Sequence, residues 1–207
     1  MTTLAIDCVT EACSVALFDG GELVDGQFAA IGRGHAERLV PMISELPGKG
    51  RAGRIIVSLG PGSFTGVRIG LAAARALGLA WNAEVLGYPT LTLVAAMARA
   101  EHPDTGITVC VNGGHGEWFV QNFADTGEAE DDVRSLAPEQ AAAACQHKTL
   151  AGNRAADLAE QLGDNRQVLD LLPDARAAHL LSPSQLTAAL APIYGRAPDA
   201  RLPRAKQ

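Results

Sequence analysis

The chain has 207 residues, 47% of them hydrophobic and 19% charged, which suits one globular domain or two small ones with a proper core. Its net charge of −6 at pH 7 argues against a protein that grips nucleic acid with its whole surface. Aromatic residues make up only 4%, so the core volume must come from Leu, Val, Ile and Ala.

In chain order, Leu4-Ala5-Ile6 predicts a short buried strand ending at Asp7. Cys13 to Phe18 predicts a second strand, Asp19-Gly20-Gly21 a hairpin turn, and Leu23 to Ala29 a third strand. A helix is expected from about His35, with Leu39, Val40, Ile43 and Leu46 at three- and four-residue steps; Pro41 inside it implies a kink or a late start. Ile55 to Leu59 reads as a strand, followed by a glycine-rich turn and a helix from Val67 to Ala80. Glu84 to Gly87 gives another strand, and Thr90 to Ala100 a helix with Thr90 as its cap.

The polar stretch from Glu101 to Gly106 predicts a boundary, dividing the chain into lobes at 1–101 and 107–207. The second half restarts with a strand at Ile107 to Val111, a glycine turn and a strand at Glu117 to Phe123. An acidic loop (Asp125 to Asp132) reads as solvated surface. Short helices follow at Pro138–Cys145, Arg154–Leu162 and Ser184–Leu190, with weak strands at Thr149–Ala151 and Val168–Leu169. Two α/β lobes with a degraded structural repeat are the expected architecture. The last stretch, from Gly195 to Gln207, carries four basic residues against Asp199 alone.

The stretch Gly60-Pro61-Gly62-Ser63-Phe64-Thr65-Gly66 joins a strand to a helix. Its glycines permit close backbone approach, and Ser63 or Thr65 suits a helix N-cap whose free N–H groups would face an anion or a partner. Neither the Walker nor the Rossmann spacing is present. Asp7, with Thr10 and Ser14 behind it, suits phosphate and metal-bound water as well as simple turn capping. Asn112 stands at the matching end of the second lobe's first strand, where an amide lacks the charge that would help hold Mg²⁺. The five histidines are scattered, no nucleophile–base pair is legible, and Cys8, Cys13, Cys110 and Cys145 read as free thiols. These readings leave no catalytic and no metal-binding residue. With no basic and apolar leader and no run of membrane-spanning length, a cytoplasmic protein is expected. The helix after the glycine turn is apolar nearly all round, with Arg68 and Arg75 its only charges, so it is either sandwiched in its own protein or faces a partner.

Ala5-Ile6-Asp7, Thr10 to Leu17, His35 with Leu39-Val40-Pro41, and Gly60 through Gly70 together resemble the bacterial TsaB (YeaZ) family. Val109 to Phe123 and Pro192 to Arg196 resemble it more loosely. The resemblance implies an actin-like, sugar-kinase-like (ASKHA) fold of two lobes with the second reduced. It implies a non-catalytic scaffold or dimerisation subunit of the complex that makes threonylcarbamoyladenosine in tRNA. The expected partners are a TsaD-like catalytic subunit and a TsaE-like ATPase, with a homodimer when alone and tRNA contact indirect or through the basic tail. ATP or ADP and metal are expected on the partner subunits, with no cofactor required by this chain. The partner interface is expected at His35, Leu39, Met42, Ile43, Arg68, Leu71, Ala72 and Arg75. A vestigial phosphate-facing set is expected at Asp7, Thr10, Gly60, Gly62 and Ser63. Three departures stand out: a short linker before Ile55, Asn112-Gly113-Gly114 where the family has Asp-Ala-Arg, and no His-x-x-x-His pair. The alternative is an autonomous actin-like ATPase or phosphotransferase using Asp7 and the Gly60–Gly66 turn; a peptidase reading has no metal or nucleophile constellation behind it.

Overall fold

The computed structural model describes residues 1–163 and 165–195. The basic tail expected from the sequence lies, apart from Gly195, outside the described residues. Three antiparallel strands open the chain: β1 (Thr2–Asp7), β2 (Ala12–Asp19) and β3 (Glu22–Ala30). After α1 (His35–Glu45), β4 (Arg54–Ser58) inserts parallel to β1, and after α2 (Phe64–Trp81), β5 (Glu84–Tyr88) adds parallel to β4. The sheet order is β3-β2-β1-β4-β5, which puts β1 at the centre and explains why Leu4 to Asp7 are all buried. Outer strand β3 stays half open to solvent, with Leu23 and Val24 exposed.

The second half repeats the plan. β6 (Ile107–Gly114), β7 (Glu117–Phe123) and β8 (Arg134–Leu136) are antiparallel neighbours. After α4 (Pro138–Ala144), β9 (Thr149–Ala151) lies parallel to β6, and after α5 (Ala155–Leu162), β10 (Gln167–Leu169) lies parallel to β9. Taken from third strand to fifth, both sheets share order and strand direction. The structural repeat expected from the element order is therefore real, with β9 and β10 reduced to three residues each.

Helix α3 (Thr90–Glu101) joins the lobes and is the helix buried on both sides. Leu93 packs with Ala5, Ile56 and Tyr88 of the first lobe, while Leu91, Val94, Ala95 and Ala98 pack with Ile107, Val109 and Phe123 of the second. A buried leucine contributes roughly 1.5–3 kcal/mol, so this double face binds the two halves together. Pro89 takes the cap position that the sequence offered to Thr90; the Thr90 hydroxyl instead pairs with Ser58 Oγ at 2.7 Å.

The chain then returns to the first lobe. A 3₁₀ turn at Ala175–Leu180 packs Ala175 and Ala178 into the first lobe's core. A helix at Ser184–Leu190 does not form: only a 3₁₀ turn at Pro183–Gln185 is present, and Thr187 bridges antiparallel to Gly87 at the open edge of β5. The Gly87 and Thr187 amides exchange hydrogen bonds of 2.8 and 2.9 Å, a sheet-edge contact that outweighs local helix propensity. Ile193 N–H then donates to the Leu59 carbonyl at 2.8 Å. The acidic loop is more than solvated surface: Asp131 accepts from the Asn122 backbone and side-chain amides, both at 2.8 Å, and pairs with Arg134, while Glu130 meets His147.

Candidate functional site

Asp7 ends β1 inside the protein, 1% exposed. Its Oδ1 accepts from the Val9 N–H at 3.2 Å, and its Oδ2 accepts from the Tyr88 hydroxyl at 3.0 Å. Burial dominates its chemistry: loss of water pushes the carboxyl up to about 7, against the opposing pull of the hydrogen bonds from Val9, Tyr88 and Ser58. Ser14 is equally withdrawn, accepting from the Ala175 N–H at 2.9 Å. The same burial pushes the Cys13 thiol up to about 11 and raises the Cys8 and Cys110 thiols well above the ordinary value, so none is a ready nucleophile.

Ser63 caps α2 as its residue type predicts, its Oγ accepting from Gly66 N–H at 3.2 Å. Its own N–H donates to the Val9 carbonyl at 2.6 Å. Gly62 and Gly66 let the start of α2 lie directly on the end of β1: a methyl on Gly62 would collide with the Val9 carbonyl oxygen, and one on Gly66 with that of Cys8. The space a side chain would need at Gly60 is taken by the Ile193 carbonyl. The glycines thus serve a close backbone approach. Asp7 is enclosed and the Ser63 and Gly66 amides are engaged within the chain, so these three groups are not presented to a phosphate.

Between the lobes runs a cleft of about 1180 Å³. It is lined by Thr10 and Glu11 after β1, Gly32 to Glu37, Gly62 to Gly66 with Arg68 and Ile69, Asn112 to His115, Phe119 and Tyr194. Of the phosphate-facing set, Thr10, Gly62 and Ser63 line this cleft, whereas Asp7 and Gly60 do not. Across it, Asn153 donates from Nδ2 to Glu11 at 2.8 Å while its Oδ1 accepts from the Asn112 N–H at 3.0 Å. Sequence reasoning missed Glu11, Asn153 and Tyr88. Asn153 alone carried a local signal, standing in the turn after β9 that matches the Gly60–Gly66 turn after β4.

The interface set divides by burial. Leu39, Met42, Ile43 and Leu71 pack into the first lobe's core, and His35 is buried with Nε2 3.2 Å from the Ala12 carbonyl. Arg68, Ala72 and Arg75 are exposed. Their helix is not wholly free: Arg75 donates to the Leu190 carbonyl at 2.7 Å, and Arg68 lies 3.4 Å over the Phe64 ring and donates to the Tyr194 hydroxyl at 3.3 Å. Part of the apolar face read from the sequence is therefore covered by the protein's own returning segment, where Leu190 and Ile193 pack on the core. Leu79, 88% exposed, stays open on α2, as does Val40 on α1. Among the described residues no three His, Cys, Asp or Glu side chains gather as a metal site requires, and no helix is long and apolar enough to cross a membrane.

A family model described as TsaD, tRNA N6-adenosine threonylcarbamoyltransferase, matches residues 29–186. The tRNA threonylcarbamoyladenosine biosynthesis protein TsaB of Escherichia coli (strain K12) is 38% identical over 148 residues, 67% of this chain and 64% of that protein. The protein of the same name from Haemophilus influenzae is 35% identical over 117 residues, covering 54% and 49%. The matched segment thus spans about half to two thirds of those relatives. YeaZ from Pseudomonas aeruginosa has a similar structure, with a TM-score of 0.78, 29% identity and coverage of 93% of this chain and 99% of that one. Ethanolamine utilization protein EutJ from Carboxydothermus hydrogenoformans, at 13% identity and a TM-score of 0.50 over 88% and 90% of the two chains, shares the fold alone. The two-lobed actin-like, sugar-kinase-like class expected from the sequence is the one found.

Proposed function

Since the chain belongs to the family of that threonylcarbamoyltransferase model, in its TsaB (YeaZ) branch, we propose that it serves tRNA threonylcarbamoyladenosine biosynthesis as a non-catalytic scaffold. Its partner in this reading is a TsaD-like catalytic subunit, joined by a TsaE-like ATPase, with nucleotide and metal held by those subunits. The burial of Asp7 carries the reading. A phosphotransferase needs that carboxylate free to hold a metal-bound phosphate, and here it is spent on Val9 and Tyr88. The same observation disfavours an autonomous ATPase.

The docking surface in this proposal is the exposed stripe of α2, Arg68-Ala72-Arg75-Leu79, at helical three- and four-residue spacing, with Val40 of α1 beside the buried Leu39. The buried members of the expected set hold the two helices in place beneath it. In the absence of the partner the same stripe serves self-association. The acidic balance favours indirect contact with tRNA, and the protein acts in the cytoplasm.

Mixing the chain with its cognate TsaD-like protein and running size-exclusion chromatography tests the proposal directly. A co-eluting complex is expected, and two separate peaks would overturn the scaffold role. Deletion and rescue of the gene, with threonylcarbamoyladenosine in bulk tRNA read by mass spectrometry, tests the pathway: unchanged nucleoside levels would remove it.

A further inference from the structure

A second cavity, of about 530 Å³, opens between α3, the loop after β7 and the segment from Leu180 to Thr187. It shares no residue with the interlobe cleft. Arg99, in the last turn of α3, lines it, and the Arg99 Nε is buried without a hydrogen-bond acceptor. The one other arginine in that condition among the described residues, Arg154, has its charge met by Asp157 at 2.8 Å. Among the described residues no carboxylate pairs with Arg99. Its guanidinium lies against Gly127, where a Cβ would collide with Nη1, and the nearby Gly127 carbonyl accepts from Gln185 Nε2 at 3.4 Å.

The loop that walls the cavity is held in shape rather than loose. Gly127 N–H donates to the Ala124 carbonyl, and Ala124 N–H to the Glu128 carbonyl, both at 2.9 Å. The opposite wall is fixed by the Gly87–Thr187 bridge. Leaving a guanidinium N–H buried and unpaired is costly, and an acceptor supplied within the cavity, water or ligand, removes that cost.

We propose that this cavity binds a small monocarboxylic acid, its carboxylate accepting from the Arg99 fork and its short apolar body lying against Ala96, Phe123 and Leu186. A planar guanidinium matches a carboxylate with two parallel N–H···O bonds. Arg99 attracts a single negative charge at short range, while Glu128 on the same lining makes a second one on the ligand costly, which disfavours a dianion such as phosphate. The proposal is independent of the scaffold role, because none of its residues lies on the α2 stripe.

Titration of the ¹⁵N-labelled full chain with sodium propionate at fixed ionic strength, followed by amide chemical shifts, tests it. Saturable shifts confined to the end of α3, residues 123–129 and 180–187 are expected, with affinity at least tenfold weaker in Arg99→Gln. If that variant fails to fold, Arg99→Lys carries the test, since it keeps the charge and loses the fork; at least threefold weaker binding is expected. Absence of saturation, shifts elsewhere, unchanged affinity in the variant that folds, or phosphate binding as tightly as propionate would each overturn the proposal.

Discussion

The Tyr88 hydroxyl lies 3.0 Å from Oδ2 of Asp7 and 3.2 Å from the Ile6 carbonyl oxygen, and it has one hydrogen to give. Below about pH 7 a protonated Asp7 resolves the competition by donating to Tyr88, which then donates to Ile6; once Asp7 ionises, the Tyr88 hydroxyl donates to its carboxylate instead. The protonated arrangement agrees with a carboxyl pushed up to about 7 by burial. Because the folded chain holds this proton more tightly than the unfolded chain, stability contributed by the protonated form is full below about pH 4 and is lost as pH rises to about 7. Asp7→Asn should remove the dependence. Urea unfolding at pH 5 and pH 8 should show the wild type losing on the order of 2 kcal/mol relative to the variant between the two. Parallel pH curves would contradict this.

Gly62→Ala and Gly66→Ala should each destabilise the fold by roughly 1–3 kcal/mol, since a methyl meets backbone that has no room to give. At Gly66, inside α2, the change would otherwise favour the helix by about 1 kcal/mol, so a loss there isolates the clash. Gly53→Ala, where the nearest atom is 3.9 Å away, should stay within about 0.5 kcal/mol of wild type. Thermal unfolding of the three variants checks the order.

The bond between Glu11 and Asn153 links residues 142 apart and joins the two lobes at the cleft. A double-mutant cycle with Glu11→Ala and Asn153→Ala should give a coupling of about 0.5–1.5 kcal/mol. Additive losses would mean that this pair does not help to hold the lobes together.

Leu79→Lys should leave the unfolding midpoint unchanged, because the side chain is 88% exposed, and should weaken complex formation with a TsaD-like partner by tenfold or more. Leu71→Lys, buried at 3% exposure, should instead fail to fold. Calorimetric titration of the partner separates the two. Tight association by Leu79→Lys would move the docking surface elsewhere.

Much of this architecture is written locally. Alternation and turn chemistry place β1 to β3, and three- and four-residue spacing places α1, although it runs unbroken through Pro41. β8 escaped notice because Arg134-Ser135-Leu136 is too short to show a period, and it exists through pairing with β7. Ser184 to Leu190 has helical propensity, yet Thr187 is worth more to the chain as an edge partner for Gly87. The glycine stretch was legible as a sharp turn, but what fills each missing side chain was not, since Val9 and Ile193 reach it from distant segments. Asp7 shows the same limit: its position at the end of a strand is local, whereas the Tyr88 hydroxyl that claims it comes from 81 residues away.

The returning segment gives α2 a history as well as a shape. Leu190 and Tyr194, which engage Arg75 and Arg68, leave the ribosome long after the helix they cover. A nascent chain released only as far as β5 would display that helix without its contacts to Leu190 and Tyr194 and with its neighbouring apolar residues bare. The surface thus matures late, completed only once the segment from Leu190 to Tyr194 has been made.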